Sequence, residues 1–219
     1  MTNTELVEST IDFVKETLVN AEAGHDWFHT QRVFKNALLI SKDEKADVLV
    51  VSLGALLHDI ADAKFHKGDE TLGPKLAKEF LNSIGVDNKV IDKVCYIIEN
   101  ISFKNTVGQK ITPKHPLELH VVQDADRLDA LGAIGIARAF HYGGFKNRKL
   151  YDPDIAPNLS MNKDTYKNSQ SPTINHFYEK LLLLKDKMNT KTGRKIAEQR
   201  HDFLLGYLEQ FYAEWNGNR

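Results

Sequence analysis

Apolar residues recur along this chain at the three- and four-residue spacing of amphipathic helices, and strand-like alternation never lasts more than a few positions. The spacing predicts a first helix over 4–20, with Leu6, Ile11, Phe13, Val14 and Leu18 as its apolar set. A second helix starts after Gly24, with Asp26 as its N-cap, and runs to about 41. The run ADVLVVSLGALL makes a third, over 46–60, that is apolar on most faces and reads as buried. A fourth, over 70–84, stops at Gly85 as a C′ glycine. A fifth begins after Asp87 and carries Val90, Ile91, Val94, Ile97, Ile98 and Ile101 on one face. The polar stretch 103–116 reads as a loop. A sixth helix is predicted over 117–140, small and apolar after Asp129, and a long irregular segment over 141–171 follows. Ser171-Pro172 is a helix start, N-cap then N1, leading to about Met188, and a last helix spans 192–215. The expected fold class is therefore all-α: about eight helices and one long loop, in a single domain over 1–219, with the helices of 172–215 packed on a core of about 24–130.

Breakers and charge sharpen this picture. All six prolines lie between Pro74 and Pro172, so both ends are free to form long helices. The 219 residues carry 29 Lys+Arg against 30 Asp+Glu, a net charge of -1. That balance argues against a nucleic-acid polymer or an anionic membrane surface as partner, while leaving room for a local phosphate pocket. One cysteine, Cys95, excludes an intrachain disulfide. The opening MTNTELVEST has no basic and apolar leader pattern, and no apolar run reaches membrane-spanning length. A cytoplasmic protein is the expectation.

The candidate chemistry lies in three places. His58-Asp59 ends the apolar helix GALLHDIAD, where a carboxylate needs a cation or a metal ion to offset burial. Imidazole nitrogen with carboxylate oxygen suits Mn, Fe, Co, Ni or Zn better than Ca. Asp62 shares the helical face of this pair. In Asp124-Ala125-Asp126-Arg127-Leu128-Asp129, three acids stand between VV and ALGAIGIA. Asp126 and Asp129 share a face, and the apolar flanks favour a buried site over ion pairing with Arg127 at the surface. In Gly24-His25-Asp26-Trp27-Phe28-His29, Asp26 serves as the cap and His25 reads as plain. His29 and Arg32 share a face and are able to present a ligand beside a phosphate-binding cation.

A histidine, a His-Asp pair about thirty residues on, and an aspartate in an Ala-Asp-Arg-Leu setting resemble the HD-domain metal-dependent phosphohydrolases. The chain is similar to the small bacterial HD proteins of the nucleotide pyrophosphatase type through GHDWFHTQRV, GALLHDIADAKFH, VVQDADRLDALGAIGIARAFHYGG and HFYEKLLLLKDKMNT. The resemblance implies an all-α fold and a ligand set of His29, His58, Asp59 and Asp126 for one divalent ion. Mn is the first candidate, with Co, Ni, Fe, Zn and Mg behind it. It also implies that Asp62 orients or activates the attacking water and that Arg32 contacts phosphate. His66, His115 and His120 lack the spacing for further metals, and His115 reads as surface.

Two neutral imidazoles and two carboxylates neutralise a divalent ion and leave positions open for a phosphate oxygen and a water. Charge developing on phosphate would meet Arg32, Lys64 or Lys67, and Lys180 or Lys187 from the late helix. Arg148 and Lys149 in the long loop would close over a triphosphate, and Tyr142, Phe145, Tyr151 and Tyr166 are candidates to stack on a base. The expected activity is hydrolysis of a nucleoside triphosphate to monophosphate and pyrophosphate. The same site admits a nucleoside-monophosphatase, a cyclic-nucleotide phosphodiesterase or a non-catalytic nucleotide or metal sensor. A guanosine polyphosphate hydrolase is disfavoured by Ala61-Asp62 where such relatives carry Glu-Asp. A helical interaction protein with merely paired acids is the plainest alternative. The partner is a small phosphorylated molecule, and a symmetric homodimer is the common assembly for an enzyme of this size.

Overall fold

The computed structural model describes residues 1–19, 21, 24–61, 69, 71–101, 115–159 and 170–218. The chain divides into two compact units, Met1–Asp126 and Arg127–Arg219. All regular structure among the described residues is helical, as the spacing predicts. No helix among them is long and apolar enough to cross a membrane.

The first unit holds α1 (Asn3–Thr17), α2 (Trp27–Glu44), α3 (Val48–Leu57), α4 (Leu72–Ser83), α5 (Asn88–Asn100) and most of α6 (Leu117–Leu128). Side chains close the orphan amides at the helix starts. Thr2 and Glu5 form a reciprocal capping box on α1. Asp26 accepts from the His29 amide at 2.9 Å, and Asp47 and Asp87 cap α3 and α5 in the same way. Gly85 leaves α4 at a φ of +77°, as a C′ glycine should. The centre of the unit is α3, whose residues Val50 to Leu57 are all buried and which packs against α1, α2 and α5. Each fully buried leucine or valine here contributes about 1.5–3 kcal/mol. Gly54 lets α5 come close, since a Cβ there would lie 2.9 Å from Ile97 Cδ1. The helix ends at Leu57 rather than 60, so His58 becomes its C-cap.

The second unit holds α7 (Gly132–Phe145), α8 (Thr173–Glu179), single 3₁₀ turns at Leu181–Leu183 and Lys185–Lys187, and α9 (Lys191–Trp215). The expected continuous helix over 117–140 is broken after Leu128. Leu131 is extended, and Gly132 takes a φ of +67°, which costs a glycine little and other residues much. The freed carbonyls are used: Arg200 Nη1 donates to Leu128 O at 2.5 Å and Arg138 Nη1 to Asp129 O at 3.3 Å. The helix expected from 172 to 188 stops at Glu179. A straight helix would spread Leu181–Leu184 around its circumference. The change to 3₁₀ turns instead buries Leu181, Leu184 and Met188 and leaves Leu183 outside. Pro172 is the N-cap of α8, one residue later than expected, and Thr190 caps α9 through the Gly193 amide. An aromatic core joins Phe140, Phe177, Tyr207 and Phe211, with Phe177 and Tyr207 stacked at 5.8 Å. Parts of the long loop are tied to α8, by Thr173 N to Lys149 O and by Asn175 Nδ2 to Ile155 O, both at 2.9 Å.

Candidate metal centre

The Asp26 cap starts α2 so that His29 falls in its first turn facing inward, 1% exposed. At the other side of the site, α3 ends in His58. Its Nδ1 lies 2.8 Å from Ala55 O, a carbonyl that only accepts, so this nitrogen carries the donated proton. Nε2 is thereby turned the other way, buried and without a hydrogen-bond partner. Asp59 follows at once, and its Oδ2 lies 3.4 Å from His58 Nε2 and 3.6 Å from His29 Nε2. From α6, Asp126 Oδ1 reaches to 3.5 Å from His29 Nε2. One donor atom each from His29, His58 and Asp126 lies within 4.8 Å of the others.

The cluster is short of positive charge. Burial pulls the His58 imidazole down, but the Asp59 carboxylate, and behind it Asp126, outweigh burial and hold it up at about 9. Burial alone would push Asp59 up, yet His58 and His29 hold it well below the usual carboxylate range. Two imidazoles and the Asp126 carboxylate within 4.8 Å of one another, with the Asp59 carboxylate beside both imidazoles, create a seat for a cation. The orphaned Nε2 of His58, with its counterpart nitrogen fixed by a backbone carbonyl, has the arrangement of a metal-binding histidine with its orienting partner. Mixed nitrogen and oxygen donors fit Mn, Fe, Co, Ni or Zn. Access is from the carboxylate side: the Asp126 side chain is 42% exposed, whereas those of His29 and His58 are almost fully covered.

The other expected site residues fall in different places. Asp62, Lys64 and Lys67 lie outside the described residues, as do His66 and Tyr166. Arg32 is half-buried on α2, one turn past His29. Arg148 and Lys180 belong to the second unit, where both raise the local positive potential at the same side chain, His176. Lys187 is exposed, and its carbonyl accepts from Arg127 Nη1 at 2.6 Å. Tyr142 and Phe145 are exposed, with Lys146 over both rings and Arg148 over Tyr142. Tyr151, by contrast, packs edge-on against Phe211, Tyr212 and Trp215.

Two expectations change. Asp129 does not continue the face of Asp126, because the helix ends before it; buried, it pairs with Arg138 at 2.6 Å. His115 is not plain surface, since its Nδ1 lies 2.9 Å from Tyr96 Oη. One neighbour of the cluster is not among the expected site residues: the His25 ring stands edge-on to His29 at 5.9 Å. The i, i+4 spacing of the two histidines is a signal for that contact, hidden by the cap between them.

An all-α protein that gathers a lone histidine, a His-Asp pair and a later aspartate into one cluster defines a recognisable class. The HD domain family model matches residues 27–131. The uncharacterised protein YpgQ of Bacillus subtilis (strain 168) is 37% identical over 207 residues, covering 94% of this chain and 91% of the relative. An HD-superfamily hydrolase from Bacillus thuringiensis has a crystal structure with a TM-score of 0.78 at 42% identity, covering 98% of this chain and 99% of that one. B. subtilis YpgQ, crystallised in complex with ADP, also gives a TM-score of 0.78, at 36% identity, with 98% and 97% covered. The chain belongs to the HD-domain family, and its fold is that of the HD-superfamily hydrolases.

Proposed function

We propose that this protein is a divalent-metal-dependent phosphohydrolase that cleaves nucleoside triphosphates to monophosphate and pyrophosphate. The observation that carries the reading is the convergence of His29, His58, Asp59 and Asp126 around the orphaned Nε2 of His58. These four side chains are the proposed ligands of one ion, with Mn²⁺ first. When bound, such an ion polarises a phosphoryl oxygen and lowers the pKa of a water molecule. The nucleotide class is supported by the ADP held by B. subtilis YpgQ, because a nucleoside diphosphate presents the base, ribose and first two phosphates of a triphosphate.

The reaction balances simply. A water oxygen bonds to the α-phosphorus, and the bond to the α–β bridging oxygen breaks. That electron pair leaves with pyrophosphate. The water proton goes to a carboxylate, for which Asp62 is the candidate by its place three residues after Asp59. Arg32, Lys64, Lys67, Arg148, Lys180 and Lys187 are the proposed phosphate contacts, acting on charge that develops as the bridge breaks.

The test is product analysis with Mn²⁺ and a panel of nucleoside mono-, di- and triphosphates and cyclic nucleotides, with Asp126→Ala as control. Pyrophosphate and monophosphate from triphosphates, lost in the variant, is the expected result. Phosphate released from monophosphates would replace the reading by a nucleotidase on the same centre. Opening of cyclic nucleotides would make it a phosphodiesterase. Bound Mn²⁺ with no product from any nucleotide would favour a sensor.

A further inference from the structure

Two buried amides bear on α6, and neither has a part in the chemistry above. Gln123, on α6 and 8% exposed, donates from Nε2 to Asn100 O at 3.1 Å and to Ile101 O at 3.4 Å, the carbonyls at the end of α5. Asn36, on α2 and 9% exposed, points its Nδ2 at Ala125 O, 3.4 Å away, in the residue before Asp126. Apart from Asp124, the rest of the buried side of α6 is Leu119, Val121, Val122, Ala125 and Leu128. Such side chains pack without a directional bond. They would tolerate an axial slip or a small rotation of the helix that a hydrogen-bonded amide would not.

The two links go to the helices that matter for the cluster. Asn36 stands two turns after His29 on α2, so it joins one donor-bearing helix to the other. Gln123 ties α6 to α5, and α5 packs on α3, which ends at His58-Asp59. We propose that Asn36 and Gln123 are positioning residues of the metal centre: they fix the register of α6 so that Asp126 Oδ1 comes to 3.5 Å from His29 Nε2. The inference rests on the reading that His29, His58, Asp59 and Asp126 hold a metal ion. Replacing either amide by an apolar residue takes a donor from its carbonyl partners, Ala125 O for Asn36 and Asn100 O and Ile101 O for Gln123, so some loss of stability in the metal-free chain accompanies the substitution.

The test uses the full chain and the volume-matched variants Asn36→Leu and Gln123→Met, alone and together. Mn²⁺ affinity is measured by calorimetry, the bound ion by electron paramagnetic resonance, and the metal-free protein by thermal denaturation in chelator. Each single variant is expected to weaken Mn²⁺ binding by about tenfold, the low end of the range for groups hydrogen-bonded directly to metal ligands. The double variant is expected to be weaker still and to broaden the Mn²⁺ spectrum, while the metal-free chain, at a lowered melting temperature, remains folded at the temperature of the binding measurement. Unchanged affinity and spectrum in the folded variants would overturn the proposal, whatever happens to stability. If Asn36→Leu does not fold, Gln123→Met decides alone. Failure of the wild type itself to bind Mn²⁺ would overturn the metal reading and this inference with it, and would show in a separate arm.

Discussion

Acidification tests the charge of the second unit, where two of the proposed phosphate contacts meet. Burial, then the cations of Lys180 and Arg148, push the His176 imidazole down to about 3. At pH 7 this region therefore carries two positive charges and a neutral ring. In the unfolded chain the same imidazole titrates near 6.5. Between about pH 6.5 and 3 the unfolded state holds a proton that the folded state refuses. Stability is thus complete above 6.5 and is lost as pH falls through that window. At pH 5, 1.5 pH units below the unfolded value, the loss attributable to this one group is about 2 kcal/mol, at 1.36 kcal/mol per unit. For a chain of this size that is roughly 4–8 °C in melting temperature. Carboxylates that titrate lower down add their own slope, so the informative quantity is the difference between wild type and His176→Phe. Trp215 lies in this unit, and in a Trp27→Phe background it is the only tryptophan, so its fluorescence reports the transition. The wild type should lose those degrees between pH 7 and 5 relative to the variant. Parallel curves for the two proteins would refute the argument that His176 is held neutral.

Four further outcomes are expected. Chelation should lower the melting temperature of the wild type but not of His58→Ala, by about 4 kcal/mol equivalent when Mn²⁺ is in thousandfold excess over its Kd; calorimetry in Mn²⁺ and in chelator checks this. Asp129→Ala should cost about 3 kcal/mol in denaturant unfolding, because Arg138 loses a buried carboxylate at 2.6 Å. Gly143→Ala places a methyl group onto Thr173 Oγ1 and should cost about 1–3 kcal/mol, much of it recovered in the double variant with Thr173→Ala. Gly54→Val should push α5 away from α3 at Ile97 and lower both the melting temperature and Mn²⁺ affinity; a stable variant with wild-type affinity would show that this contact does not position His58.

The parts of this protein that can be read from sequence are those set by local chemistry. Asp26 and Asp87 as caps, Gly85 as a terminator and the buried run of α3 follow from rules that act within a turn or two. The break at Asp129–Leu131 does not. Gly132 and Gly135 stand three apart in the same apolar run, and nothing local says that the first is needed for its positive φ. Its setting is made by Arg200, about seventy residues on, which takes the Leu128 carbonyl. The tetraleucine run misleads for the same reason: which leucines turn inward is decided by what packs on them. The metal centre divides along this line too. Imidazoles and carboxylates at the end of an apolar helix are unusual enough to be noticed, because burying them without compensation is costly. His58 and Asp59 stand out on that ground, whereas the choice of His29 and Asp126 as their companions is what the resemblance to the HD-domain phosphohydrolases implies. Asn36 and Gln123 do not stand out, since an amide on a helix is ordinary until its partner is seen to be a backbone carbonyl of another helix. Donor identity is constrained by the ion and leaves a pattern in the chain. Donor placement is constrained by geometry, which different side chains are able to supply from different positions, and it leaves none.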